Sequence, residues 1–427
     1  MNSKRRNILK GLGLGVAAMG LPNILFAAGT GGKVVVVGGG TGGASVANYL
    51  KKLDASIEVT LIEPNSIYYT CYGSNEVISG ERGIEGIQVG YDGLVKRGIK
   101  IVHDRVTDIN PTAKVVTTAT GKTFNYDRCV VSPGVDFKYE SIEGYDAQVA
   151  KRVPHAWKAG EQTVTLRNQL AAMKDGGTVI LTAPENPFRC PPGPYERVSQ
   201  IAHYLKNNKP NSKIIVLDAK GSFAKQAAFE LGWSKLYNYG SSDSMIEWIG
   251  NDQITKLDES TNTVTTSSGK EYKGDVINII PNQKAGAIAF SADLTEGDWC
   301  PVHQRTFEST KHKGIHIIGD ASVASPLPKS GFSANAEAKA CASAIVALLR
   351  ENPLPTPVFS NACYSIVGKD YGISIVAVYR MNKNGTNIEK VSGVGGVTPL
   401  SATEEDLRNE ASYAHGWYNN FVKDVFG

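Results

Sequence analysis

Residues suited to holding a metal are scarce in this 427-residue chain, which has six cysteines and seven histidines. No two cysteines stand in CxxC spacing and no CxxCH occurs, which excludes a zinc ribbon and a covalently attached haem. Cys71, Cys129, Cys190, Cys300, Cys341 and Cys363 are too few and too dispersed for a disulfide-stapled scaffold, though they leave room for one specific disulfide. Of the histidines only His312 and His316 fall at i, i+4. They straddle the start of an apolar strand rather than sharing a helix face, so no metal site is expected. A dominant charge is also missing. Lys4, Arg5, Arg6 and Lys10 supply four positives in a leader without acid, so removing it takes the net charge from +4 to +4 − 4 = 0. A neutral surface releases no counterions from phosphates, which excludes nucleic acid as the expected partner. Beyond the leader no stretch approaches about 18 uninterrupted apolar residues, so membrane insertion is not expected either. What remains, 41% hydrophobic and 20% charged residues, suits two or three packed domains.

Residues 1–28 run Ser3-Lys4-Arg5-Arg6-Asn7-Ile8-Leu9-Lys10, then a weakly apolar, glycine-interrupted stretch ending in Ala27-Ala28. This resembles a twin-arginine signal peptide and implies export to the periplasm. The pathway carries proteins already folded, which suits a cofactor inserted beforehand.

Two strand-and-helix units come next. Val34-Val35-Val36-Val37 runs into Gly38-Gly39-Gly40-Thr41-Gly42-Gly43, a helix over 44–53 and a strand from Ile57 to Ile62 closing on Glu63, which is a βαβ unit. Thr178-Val179-Ile180-Leu181 leads through a proline-rich loop, Pro184 to Pro194, into a helix and a strand, Ile214-Ile215-Val216-Leu217, ending on Asp218. Gly314 to Asp320 then reads as a buried strand returning to the first domain, before a helix over 334–349. A break at Pro353, Pro355 and Pro357 precedes a last segment of mixed strand and aromatic-rich helix. The expected fold class is α/β, with two Rossmann-like dinucleotide-binding-type domains and a smaller C-terminal α+β segment. The first domain covers 33–150 and 286–355, the second 151–285, and the C-terminal domain, expected beside a cofactor or at an interface, 356–427.

The pattern Gly38-x-Gly40-x-x-Gly43 sits between a strand and a helix, where glycine allows a tight turn, close approach to a pyrophosphate and close helix packing. Glu63 lies 20 residues beyond Gly43, placed to accept from a ribose hydroxyl. The late Gly319-Asp320 and the mid-chain Ser132-Pro133-Gly134 resemble elements that close over the cofactor in glutathione-reductase-like flavoproteins, which implies FAD rather than NAD. The second unit lacks a glycine loop. Its prolines remove amide donors, so nicotinamide is expected to be neither donor nor acceptor.

The segment Phe188-Arg189-Cys190-Pro191-Pro192-Gly193-Pro194-Tyr195-Glu196-Arg197 closely resembles the signature loop of the flavoprotein subunit of flavocytochrome c sulfide dehydrogenases. Tyr68-Tyr69-Thr70-Cys71-Tyr72, Pro326 to Gly331, Asn361-Ala362-Cys363-Tyr364-Ser365 and Gly416-Trp417-Tyr418-Asn419-Asn420 extend the similarity along the chain. The resemblance implies that Cys71 anchors FAD covalently and that Cys190 pairs with Cys363 in a redox-active disulfide beside the flavin. It also implies that a separate c-type cytochrome subunit takes the electrons from sulfide oxidation, there being no haem or metal in this chain. Spacing alone leaves the pairing open, since six cysteines offer about fifteen pairs. Glu196 is the candidate acid/base and Lys329 the candidate for stabilising negative charge on reduced flavin. Cys129, Cys300 and Cys341 receive no role, and the aromatics around Trp417 read as core. Two rivals stand beside this reading: a sulfide:quinone oxidoreductase, and a non-catalytic flavoprotein component of a sulfur-oxidising complex.

Overall fold

The computed structural model of the protein describes residues 31–427, so the export leader expected over 1–28 lies outside the described residues. In the first domain β1 (Lys33–Val37), a run of β-branched valines buried on both faces, feeds α1 (Thr41–Leu53) and then β2 (Glu58–Ile62). The helix begins at Thr41, three residues earlier than the sequence pattern suggests, so the turn shrinks to Gly38–Gly40. β1 pairs in parallel with β2, from Val34 opposite Val59 to Val37 opposite Ile62. β2 pairs with β3 (Lys100–Val102), and β1 on its other side with β4 (Arg128–Val131). A short strand β5 (Val135–Phe137) leaves this sheet towards the second domain.

The second domain carries β6 (Thr178–Ala183), α2 (Gly193–Asn208), β7 (Lys213–Asp218), α3 (Gln226–Tyr237), β8 (Ile246–Ile249) and β9 (Val276–Ile279). Its four strands form a parallel sheet in the order β8-β7-β6-β9. β10 (Gln283–Ala285) then pairs antiparallel with β5, so the two connections between the domains run side by side.

The return strand is β11 (Ile315–Ile317), inserted beside β4 in parallel, so the late Gly319-Asp320 reaches the same edge of the sheet as the glycine turn. α4 (Gly331–Leu349) follows, capped by the Ser330 hydroxyl accepting from Ser333 N at 3.1 Å. α4 is long and apolar enough to cross a membrane by length and composition, but 61% of that stretch is buried inside the protein. It packs on α1, where Asn335 Nδ2 donates to Ser45 Oγ at 2.9 Å.

The C-terminal segment is a three-stranded antiparallel sheet, β12 (Val358–Gly368), β13 (Tyr371–Met381) and β14 (Ile388–Val397), followed by α5 (Glu404–Phe426). A capping box starts α5, with Thr403 Oγ1 accepting from Asp406 N and the Asp406 carboxylate accepting from Thr403 N. Tyr418, Phe421, Val425 and Phe426 are buried, and the half-buried Trp417 packs against the same core, stacked on Phe421, while its outer side lines a cavity.

Candidate active site at the junction of cradle, loop and C-terminal sheet

The glycine turn is closed so tightly that a Cβ on Gly43 would stand 1.8 Å from the Gly38 carbonyl oxygen. α1 therefore begins directly on the turn, aiming its first amides outward. Glu63, at the end of β2, accepts from Gly39 N at 2.9 Å and, through its other oxygen, from Asn65 N at 3.0 Å. Opposite, Ser132 continues β4, its amide donating to the Val37 carbonyl at 2.8 Å, and Gly134 adopts φ +65°. Asp320 follows β11 with its Oδ1 sealed from solvent and without a partner, and burial pushes its carboxyl up against the opposing pull of Arg189 and Lys329.

The segment carrying Cys71 lies over the start of α1. The hydroxyls of Tyr68 and Tyr72 each stand 3.3 Å from Thr41 Oγ1, and the Tyr68 ring faces Gly40. Cys71 Sγ contacts the Trp157 carbonyl oxygen at 3.7 Å. That carbonyl also accepts from Arg189, one residue before Cys190. Cys190 itself is left-handed, φ +59°, and its amide donates to the Lys329 carbonyl at 2.7 Å. A Cβ on Gly193 would come within 2.9 Å of the Cys190 sulfur, so glycine lets that sulfur rest on the start of α2.

Cys363, in the middle of β12 opposite Ile375, completes the site. Its sulfur shares a cavity with that of Cys190, both side chains being free thiols, and contacts the Tyr364 carbonyl oxygen at 3.8 Å. A cavity of about 130 Å³ opens on Cys71, Cys190 and Cys363 together, with Glu196, Trp157 and Trp417 among its walls. The structure thus brings together Cys71, Cys190, Cys363 and Glu196. It gathers Gly38, Gly40, Gly43, Glu63, Gly134, Gly319 and Asp320 at one edge of the first sheet. Lys329 is between the two groups: its ammonium donates to the Asp320 carbonyl at 2.7 Å and sits 3.8 Å over the Trp299 ring. Burial pulls its pKa down.

The cysteine pair is electrically asymmetric. Its interaction with Cys363 raises Cys190 well above an ordinary thiol, with burial adding to the effect. Cys190 lowers Cys363 in turn, against the effect of burial, and Lys225 lowers it further. Glu196 is pushed up by burial, although both its oxygens accept, from Asn75 Nδ2 at 2.8 Å and Ile366 N at 2.9 Å. Asn75 in turn accepts through Oδ1 from Arg197 Nε at 3.0 Å. The Arg197 guanidinium is buried, held by the His155 and Ala156 carbonyls and Asn278 Oδ1, and its burial beside Arg189 lowers its pKa to about 9. Sequence reasoning assigned no role to Arg197, Asn75 or Lys225; their contacts are long-range and leave no local signature. Cys129, Cys300 and Cys341 lie in the core, their thiols pushed up by burial.

Where the second domain would present a phosphate loop, the amides are committed internally. Glu185 N donates to Asn282 Oδ1, Arg189 N to Gln283 Oε1, and Gly193 N to the Cys190 carbonyl. Asp218, at the end of β7 where a ribose would be met, is buried and accepts from Tyr195 Oη at 2.5 Å, Trp248 Nε1 at 3.0 Å and Lys220 Nζ at 2.6 Å.

The residues fit FAD: a glycine turn with outward amides, an orphaned Asp320 oxygen suited to a hydroxyl donor, and the unpartnered indole nitrogens of Trp157 and Trp417 beside the cavity. Fold and site together define a two-domain flavoprotein of the pyridine nucleotide-disulphide oxidoreductase type, whose family description matches residues 32–171. Two further family descriptions match: "Sulfide dehydrogenase [flavocytochrome c] flavoprotein chain, central" over residues 163–281, and "Flavocytochrome c sulphide dehydrogenase, flavin-binding" over residues 355–426. A sulfide dehydrogenase [flavocytochrome c] flavoprotein chain of Chlorobaculum thiosulfatiphilum is 64% identical over 45 residues, 10% of this chain and 94% of that sequence. The chain belongs to the family of flavocytochrome c sulfide dehydrogenase flavoprotein chains. It is also similar to the mitochondrial sulfide:quinone oxidoreductase of Dictyostelium discoideum, 23% identical over 304 residues and 68% of this chain. It spans 65% of the length of that relative. The sulfide:quinone oxidoreductase structure from Aquifex aeolicus shares the fold, with a TM-score of 0.68 at 20% identity over 92% of each chain.

Proposed function

We propose that this protein oxidises hydrogen sulfide at a disulfide between Cys190 and Cys363, beside FAD anchored through Cys71, and that a c-type cytochrome subunit receives the electrons. The observation that carries the reading is the meeting of two sulfurs 173 residues apart in sequence (363 − 190) in one cavity with Cys71 and a half-buried carboxylate. A disulfide accepts a sulfur nucleophile by exchange, so hydrosulfide converts the bridge into a persulfide and a thiolate. FAD would supply a two-electron sink there, held by the Gly38–Gly43 turn, Glu63 and Asp320. Glu196, its pKa raised by burial and its side chain on the wall of the same cavity, is the group to exchange a proton with the sulfurs. Lys329 and Arg189 bring positive charge to the Asp320 side of the cavity. Committed amides in the second domain and the use of Asp218 inside its own core support a donor other than nicotinamide. Export by the twin-arginine leader would place the enzyme in the periplasm, where a cytochrome is the accessible acceptor.

The test is to add sulfide to the purified oxidised protein and follow flavin absorbance: bleaching is expected, and no bleaching refutes the enzyme and favours the non-catalytic component. A second reading, with quinone as acceptor, draws on the likeness to sulfide:quinone oxidoreductases over most of the chain. Against it, the apolar side of α5 is already spent inside the protein, Phe421 and Phe426 packing on Tyr72 and Tyr68, which leaves little for membrane attachment. Turnover with cytochrome c rather than with a soluble quinone is the expected outcome.

A further inference from the structure

A buried lysine is hydrogen-bonded to the backbone of one cysteine of the pair, Cys363, and not to that of the other. Lys225 precedes α3 in a left-handed conformation, φ +63°, which turns its side chain inward, and the residue is buried. Its Nζ donates to the Cys363 carbonyl at 3.2 Å and to Ser365 Oγ at 2.8 Å, both on β12, and lies 5.5 Å over the Phe229 ring of its own helix. Glu196 and Cys190 face it from the loop and helix of the second domain, and Glu410 from α5. The carboxylate of Glu196 spends its hydrogen bonds on Asn75 and Ile366 rather than on this ammonium, whose own bonds go to uncharged oxygens. Burial pulls the Lys225 pKa down, while Cys363, Glu196, Cys190 and Glu410 pull it up; a positive charge held at the backbone of Cys363 favours the anionic form of that sulfur over its neighbour.

We propose that Lys225 is a positioning residue that makes Cys363 the sulfur carrying the thiolate, and thereby directs hydrosulfide to the sulfur of Cys190. The inference rests on the disulfide reading of the site. Hydrosulfide forms a bond to Cys190 Sγ with its own electron pair while the Cys190–Cys363 bond breaks. The displaced pair leaves on Cys363 Sγ, giving a Cys190 persulfide, which keeps the hydrosulfide proton, and a Cys363 thiolate. Exchange of this kind runs faster the lower the pKa of the leaving thiol, so a cation on one side decides which sulfur is attacked and which departs.

Alkylation with iodoacetamide of the FAD-containing protein, after reduction with dithiothreitol, tests this independently of turnover. The reaction is followed from pH 5 to 9 and read peptide by peptide by mass spectrometry. In the wild-type protein Cys363 should react first, at a pH clearly below that needed for Cys190. Lys225→Met should move the Cys363 profile up by about one unit, roughly tenfold slower labelling on its acid side, and Lys225→Arg should restore most of it. Cys190 reacting first in the wild type, or superimposable Cys363 profiles in Lys225→Met, overturns the proposal. If Lys225→Met does not fold, the wild-type order still decides. A non-reducing peptide map of the oxidised protein checks the underlying reading separately. Absence of a Cys190–Cys363 linked peptide there sinks the disulfide whatever Lys225 does to the thiols.

Discussion

Replacing Glu196 by glutamine changes one oxygen to an NH2 and nothing in shape, yet the surrounding hydrogen bonds have no place for the new donor. Both carboxylate oxygens accept, one from the Ile366 amide and one from Asn75 Nδ2. Asn75 cannot turn over to offer its oxygen instead, because that oxygen accepts from Arg197 Nε, and Arg197 is itself locked between the His155 and Ala156 carbonyls. The glutamine can therefore satisfy one neighbour and must set its own NH2 against the N–H of the other. One buried donor is left without a partner, which costs about 1–3 kcal/mol. Urea unfolding of the FAD-containing variant should show that loss at neutral pH. The pH dependence adds a sign. Burial raises the Glu196 pKa above its unfolded value, so the native state holds more protons between the two values and stability falls as pH rises through that window. The wild-type protein should thus lose stability relative to the variant as pH climbs from about 4.5 through the folded value, narrowing the gap from the acid side. Flavin reduction by sulfide should slow by about a hundredfold, the lower range for a lost proton-transfer group. A variant equal to wild type in both unfolding midpoint and reduction rate would refute the polarity argument and the catalytic one together.

Cys190→Ser and Cys363→Ser should each abolish flavin reduction by sulfide while FAD stays attached, as read by stopped-flow absorbance and by the mass of the denatured protein. Cys71→Ser should release FAD on denaturation, whereas the wild-type polypeptide keeps the added mass. Gly43→Ala places a methyl 1.8 Å from the Gly38 oxygen, so the turn must open, and thermal unfolding should show several kcal/mol lost together with weakened FAD retention. NADH should not bleach the flavin on the timescale of sulfide, since the second domain's loop amides are already engaged.

The two-domain class was legible because its signals are local: an all-valine strand, three glycines at fixed offsets and a helix lie within 21 residues, from 33 to 53. The return of Gly319-Asp320 to the first sheet could be read from its apolar strand and its resemblance to glutathione-reductase-like flavoproteins, and the mixed C-terminal segment from its prolines and aromatics. What could not be read was depth. The adjacency of Cys190 and Cys363 depends on β12 crossing the start of α2, a tertiary contact that spacing does not encode. Lys225 carries no motif: it is a lysine before a helix, and only its left-handed backbone turns it inward. Glu196 and Arg197 are sequence neighbours on one helix, about 100° apart around its axis, so their joint service to Asn75 also needed the fold.

α5 bears on when the nucleotide pocket is complete. Phe426 rests on the rings of Tyr68 and Tyr91, the latter's hydroxyl donates to the Gly39 carbonyl, and Asn48 of α1 donates to the Asp424 carbonyl at 2.8 Å. The nucleotide pocket opened by residues 38–43 is thus walled by residues some 380 positions later. A chain that has not yet folded α5 into place lacks that wall, so the pocket is complete only when a segment remote in sequence has docked on it.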